Sequence, residues 1–145
     1  MGGIILALFL LVPGLMLNIH ESRYLTVEET CQKLQAAIVE NGWTSPAIRN
    51  MNEAMAKNGV TLERQVRVVE LCKGAYAKDI LSQNPELSTM MPCAFGVYEG
   101  NNKKIYISGM NTGFMGKFFG GYVARIMGGL VAGDEKRILK SVLRD

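Results

Sequence analysis

Residues 93–110, CAFGVYEGNNKKIYISGM, carry the clearest fold signal in the chain. Cys93, Phe95 and Val97 alternate with smaller or polar neighbours, and Ile105 and Ile107 do the same beyond Gly100-Asn101-Asn102. A period of two gives each run one apolar face, and the Gly-Asn-Asn link supplies a turn, so the stretch predicts a β-hairpin with strands over Cys93 to Glu99 and Lys104 to Met110. A sheet is therefore the frame on which the other elements must sit.

Upstream, the pattern switches between strand and helix periods. Leu62 to Leu71 (LERQVRVVEL) is rich in β-branched residues and predicts a strand, with the Val68-Val69 pair interrupting the alternation as a bulge does. Gly74 to Ser82 predicts a helix through Ala77, Ile80 and Leu81, closed by Asn84-Pro85. Further back, Thr26 and Glu29 form a capping box, and Val27, Cys31, Leu34 and Ile38 then recur at helical spacing up to Gly42. Trp43 to Arg49 predicts a short strand, followed by a helix from Asn50 to Lys57 that Asn58-Gly59 ends. Leu15, Leu17 and Ile19 alternate with Asn18, His20 and Ser22, which predicts a strand with the histidine on its wet face.

Downstream the sequence changes in kind. Phe114, Met115, Phe118, Phe119, Tyr122, Val123, Ile126, Met127 and Leu130 come as doublets at intervals of about four, on one face of a single predicted helix. Gly116, Gly120, Ala124 and Gly128 form a small-residue ridge beside them, the kind that lets another backbone come close. Each interior glycine costs a helix about 1 kcal/mol relative to alanine. Packing on the sheet, a second copy of the chain or a lipid surface must offset that. Asp134 then opens a last amphipathic segment through Ile138, Val142 and Leu143. The order strand, helix, strand, helix, strand, helix, hairpin, helices, with no internal repeat, reads as one α+β domain over 15–145.

Residues 1–14 stand apart. Gly2 to Val12 is apolar throughout and Pro13-Gly14 stops it, so it reads as a hydrophobic leader, a membrane anchor or signal-like segment, with a buried N-terminal helix as the alternative. Eleven helical residues reach only about 16 Å, short of a hydrocarbon core of roughly 30 Å. The chain of 145 residues is 48% hydrophobic and 20% charged, which suits one packed domain and excludes disorder. Sixteen Lys and Arg against thirteen Asp and Glu form no basic run, so nucleic acid is not an expected partner. One histidine and three cysteines are too few for a His-rich metal centre or a zinc site of two cysteine pairs. Gly120-Gly121 and Gly128-Gly129 lack the lysine and hydroxyl of a phosphate loop, and no cofactor is expected.

Chemistry concentrates on two cysteines. Cys72 falls between a strand and a helix, where a helix dipole favours a thiolate, and Cys93 opens the hairpin after Met90-Met91-Pro92. Side by side they would suit a disulfide, a persulfide or a soft metal such as Cu(I) with a methionine sulfur. Cys31, on an apolar helical stripe, reads as core. Glu28, Glu29, Asp134 and Glu135 sit where helix N-termini favour negative charge. Proximity on one strand is all that points to catalysis at His20 and Ser22.

The run VVELCKGAYAKDILSQNPELSTMMPCAFGVYEGNNKKIYISGMNTGFMGKFFGG, from Val68 to Gly121, together with the earlier NIHESRYLTVEETCQKLQAAIVENGW, resembles the domain of unknown function 302 family. The likeness covers about residues 15–140 and joins Cys72, Met91-Pro92-Cys93, Met110-Asn111-Thr112-Gly113 and Phe119-Gly120-Gly121. It implies a two-layer α+β fold, an antiparallel sheet with helices packed on one face, homodimers, and an anchor at the N-terminal segment. Gly74 stands where the family has proline and Ala94 where it has a basic residue, so no anion site is carried over. The expectation is a membrane-tethered, non-enzymatic binding or interaction module that dimerises and meets a protein or small apolar ligand. Phe114, Phe118, Gly120, Tyr122 and Ala124 are its interface candidates. The alternative is a thiol-based redox, sulfur-carrier or soft-metal protein using Cys72 and Cys93.

Overall fold

Backbone hydrogen bonding organises the chain around the hairpin. The computed structural model describes residues 14–91 and 93–145, so the leader, apart from Gly14, lies outside the described residues. The strands are β1 (Leu17–Glu21), β2 (Ile48–Asn50), β3 (Val66–Leu71), β4 (Cys93–Glu99) and β5 (Ile105–Met110). They form one antiparallel sheet in the order β1-β5-β4-β3-β2. The helices are α1 (Val27–Glu40), α2 (Met51–Ala56), α3 (Gly74–Gln83), α4 (Thr112–Phe119), α5 (Gly121–Arg125) and α6 (Ala132–Lys140). A 3₁₀ segment spans Pro85–Met90, and a π-helical turn spans Ile126–Val131. This is the two-layer α+β architecture expected.

Cross-strand partners share a face, so Val69, Phe95 and Gly109 line up, as do Val97 and Ile107. That face meets α1 and α6: Leu34, Ile38, Val69, Val97, Ile107 and Ile138 are all 0% exposed. Each such aliphatic side chain contributes on the order of 1.5–3 kcal/mol through burial. The Thr26 half of the α1 capping box forms, with Thr26 Oγ1 accepting from the Glu29 amide at 3.1 Å. The inward-facing Arg67 reaches Glu28 at the start of α1, at 2.7 Å.

The structure departs from the sequence pattern at four places. β3 pairs with β4 without interruption from Val66 opposite Tyr98 to Leu71 opposite Cys93, so no bulge forms at Val68-Val69. β3 also begins at Val66, not Leu62. The Asn52 side-chain amide takes up the carbonyls of Leu62 and Arg64, which leads the chain in by another route. In β1 the faces are exchanged: His20 lies opposite Ile107 and Asn18 opposite Gly109, on the helix side, whereas Leu17 and Ile19 are 52% and 56% exposed on the other. Alternation distinguishes two faces without saying which is covered, and on this edge strand the helix layer leaves His20 exposed.

The fourth lies in the last third, where the hydrophobic period predicts one helix from Phe114 to Leu130. Phe114 and Phe118 lie on α4, Tyr122 and Ala124 lie on α5, and Gly120 is the break between them, at φ +65 with Gly121 at +49. Glycine adopts these values without steric cost, so the chain turns while its hydrophobic period runs on. The small-residue ridge then serves within the chain: a Cβ on Gly116 would lie 2.8 Å from the Gly128 nitrogen. No helix among the described residues is long and apolar enough to cross a membrane.

Gly116→Ala places its methyl against backbone atoms of Gly128 and is expected to destabilise the domain by about 1–3 kcal/mol in urea unfolding. Gly74→Ala, at the first residue of α3 with open space around it, is expected to be neutral or to stabilise by up to about 1 kcal/mol. Equal stabilities for the two variants contradict this packing.

Candidate functional site

Two adjacent carboxylates in the first turn of α6, Asp134 and Glu135, organise the site. Neighbouring helical residues project about 100° apart, so the two serve different surroundings. Asp134 is 3% exposed. It accepts hydrogen bonds from Trp43 Nε1 at 3.0 Å, Lys73 Nζ at 3.2 Å and Tyr76 Oη at 3.3 Å, and from the Arg137 guanidinium. Trp43 follows α1, Lys73 joins β3 to α3, and Tyr76 lies on α3. Burial pushes the Asp134 carboxyl up, but the Trp43 and Lys73 donors and the charges of Lys73 and Arg137 outweigh it and hold it below its ordinary range. The Lys73 ammonium also lies 4.7 Å from the Tyr76 ring centre and 5.8 Å from that of Trp43.

Glu135 meets a different environment. Its side-chain partner among the described residues is Thr112, whose hydroxyl donates at 2.9 Å, and burial pushes its carboxyl up to about 7. Thr112 is held there by its neighbour: Asn111 caps α4 through the Phe114 amide at 3.1 Å and donates to the Leu15 carbonyl at 2.9 Å. The Asn-Thr pair thus ties the entry of β1, the start of α4 and α6 together. Beside Glu135 opens a cleft of about 650 Å³ with Phe95, Ile107 and Leu139 among its walls. Asn18, His20, Lys136 and Lys140 also border it.

Cys31 is core, as read, and burial pushes its thiol up to about 11. Cys72 makes an isolated bridge to Thr44, and Cys93 is the register partner of Leu71. Both line one cavity of about 40 Å³, together with Met90, Met91 and Met127. All three thiols are free. Burial, then the charge of Glu135 and that of Cys72, push the Cys93 thiol up to about 11, so it is protonated near neutral pH and is a weak nucleophile. Cys93, Thr112, Met127 and Glu135 also border a cleft of about 410 Å³. Sequence reasoning placed both cysteines at strand ends but missed Met127, Thr112 and the divided roles of Asp134 and Glu135. The acidic pair was the available signal, and the helix dipole already accounted for it.

The family model for the Domain of unknown function DUF302 matches residues 19–143, which include both cysteines, Asp134 and Glu135. The chain belongs to the DUF302 family. Among solved structures it is similar to the crystal structure of an uncharacterized conserved DUF302 protein from Bacillus stearothermophilus. The TM-score is 0.74 at 14% identity, with 86% of this chain and 95% of that one covered. At that identity the likeness speaks for the DUF302 fold alone. No curated protein matches the chain.

The Glu135 carboxyl titrates at about 7 when folded, against an ordinary value of 4.5, so the folded domain binds more protons over that interval. Stability is therefore expected to fall as pH rises through this window and to level off above it. Glu135→Gln removes the slope and is expected to gain on the parent by about 3 kcal/mol between about pH 4 and about pH 8 in urea unfolding. A variant that keeps the parent's slope contradicts the assignment.

Proposed function

We propose that this DUF302 domain is a non-enzymatic binding module that seats a small, largely apolar ligand in the cleft beside Glu135. The supporting observation is the match of size and chemistry: about 650 Å³, walls that include Phe95, Ile107 and Leu139, and one partly buried carboxyl backed by Thr112. Ligand pockets commonly fall in the range of roughly 300–1,000 Å³, apolar with a few convergent polar groups. A carboxyl that titrates at about 7 is partly protonated near neutrality and so both donates to and accepts from a neutral hydroxyl, amide or amine. The ligand class that follows is an apolar body carrying one such group.

In the same proposal the leader, residues 1–14, tethers the domain to a membrane and two copies associate. Phe118, Phe119 and Leu130, at 68%, 42% and 48% exposed, support an interaction surface near α4. Phe114 braces Phe118 edge to face at 5.2 Å, and Tyr122 lies under Arg125. Gly120 contributes the turn and Ala124 lies on α5.

N-phenyl-1-naphthylamine, an apolar fluorophore with one N–H, is expected to bind the full chain saturably at one site. Glu135→Leu keeps the volume, removes the polar partner and is expected to weaken binding about tenfold, the worth of one buried hydrogen bond. Phe118→Ser is expected to leave probe affinity unchanged while lowering self-association in sedimentation. Probe binding unaltered by Glu135→Leu counts against the cleft.

A further inference from the structure

Five sulfur-bearing side chains converge on the small cavity between α3, the start of β4 and the π-helical turn: Cys72, Cys93, Met90, Met91 and Met127. They come from four separate stretches, the end of β3, the 3₁₀ segment with its exit, β4 and the π-helical turn. The cavity is about 40 Å³, room for a few water-sized spheres and far below the roughly 300 Å³ of an organic ligand site. Its other walls are almost wholly hydrocarbon and aromatic, with Lys73 the one charged residue among the lining residues. A hard, strongly hydrated cation finds no carboxylate or amide side chain in such a lining, whereas thiolate and thioether sulfurs suit soft ions such as Cu(I). Zinc asks for four N, S or O ligands, and no cluster of three His, Cys, Asp or Glu residues exists among the described residues.

We propose that this cavity binds one soft d¹⁰ cation, Cu(I) or its analogue Ag(I), through Cys72 and Cys93 with thioether support from the methionines. Binding is an exchange without oxidation: each thiol releases its proton to solvent as its sulfur bonds to the metal, and the copper stays Cu(I). Metal coordination deprotonates a thiol outright. Two thiolates and one Cu(I) leave a single negative charge, and Lys73 is the cationic residue among those lining the cavity. The lysine is already oriented by Asp134 at 3.2 Å, and its ammonium lies 5.8 Å and 4.7 Å from the Trp43 and Tyr76 ring centres.

The test is an anaerobic titration of the full, reduced chain with Cu(I) against a colorimetric Cu(I) chelator, with native mass spectrometry of the Ag(I) form. One metal per chain is expected, with a mass gain equal to the metal less the displaced protons. Cys93→Ser and Cys72→Ser are each expected to lower Cu(I) affinity at least a hundredfold. Met91→Leu with Met127→Leu conserves volume, guards against an unfolded cysteine variant, and is expected to lower affinity about tenfold. Zn(II) is expected to bind at least a hundredfold more weakly than Cu(I). A parent chain that takes up no Cu(I), a folded cysteine variant within threefold of the parent, or methionine variants with unchanged affinity overturns the proposal.

Discussion

The carboxylate of Asp134 accepts hydrogen bonds from Trp43, Lys73, Tyr76 and Arg137, and through them one side chain holds the end of α1, the β3–α3 junction, α3 and α6 in a fixed relation. An unpaired carboxylate at that depth would cost several kcal/mol. Four donors, three of which arrive from other parts of the chain, answer that cost only in one arrangement of the helices. Hydrogen bonds to a charged group contribute roughly 1.5–3 kcal/mol each before the desolvation of the ion is subtracted, so the net stabilisation is modest. The geometric consequence is larger. With Asp134 fixed, the rotation of α6 is fixed, Ile138 enters the core, and Glu135 turns toward Thr112 and the cleft.

The two candidate sites are joined through this arrangement. Lys73 holds Asp134 and also lines the sulfur cavity, while Cys93 belongs to that cavity and feels the charge of Glu135. Ionisation of Glu135 thus raises the cost of a thiolate at Cys93, and the two residues share the walls of the cleft of about 410 Å³. Asn111 and Thr112 extend the same linkage to the edge strand, because one fixes Leu15 and caps α4 while the other completes Glu135. The Met-Asn-Thr-Gly segment is therefore explained by hydrogen bonding at a junction of three elements.

Much of the fold was legible because local rules and burial agreed. The hairpin has turn residues and alternation in register, and α1 has a cap, an apolar stripe and a stop. Legibility failed where tertiary placement decides: Leu17 and Ile19 look like core residues yet lie exposed, and the Phe-Gly-Gly turn hides inside an unbroken hydrophobic period. Val68-Val69 looked like a bulge only because two valines in succession face opposite sides of a regular ladder. In the site, Cys72 and Cys93 could be named from their positions at strand ends, but their shared cavity depends on how β3 and β4 pair. Asp134 and Glu135 are indistinguishable in sequence, since helix-start electrostatics accounts for both and only packing separates their roles.

Side-chain carboxyl carbon shifts followed by NMR across a pH titration of the full chain read the separation of Asp134 from Glu135 directly. The result expected is that Asp134 titrates below its ordinary value of 3.8 while Glu135, one residue along, titrates at about 7. Titration of both groups in the ordinary carboxylate range would contradict it, and with it the geometry of α6 on which both candidate sites stand.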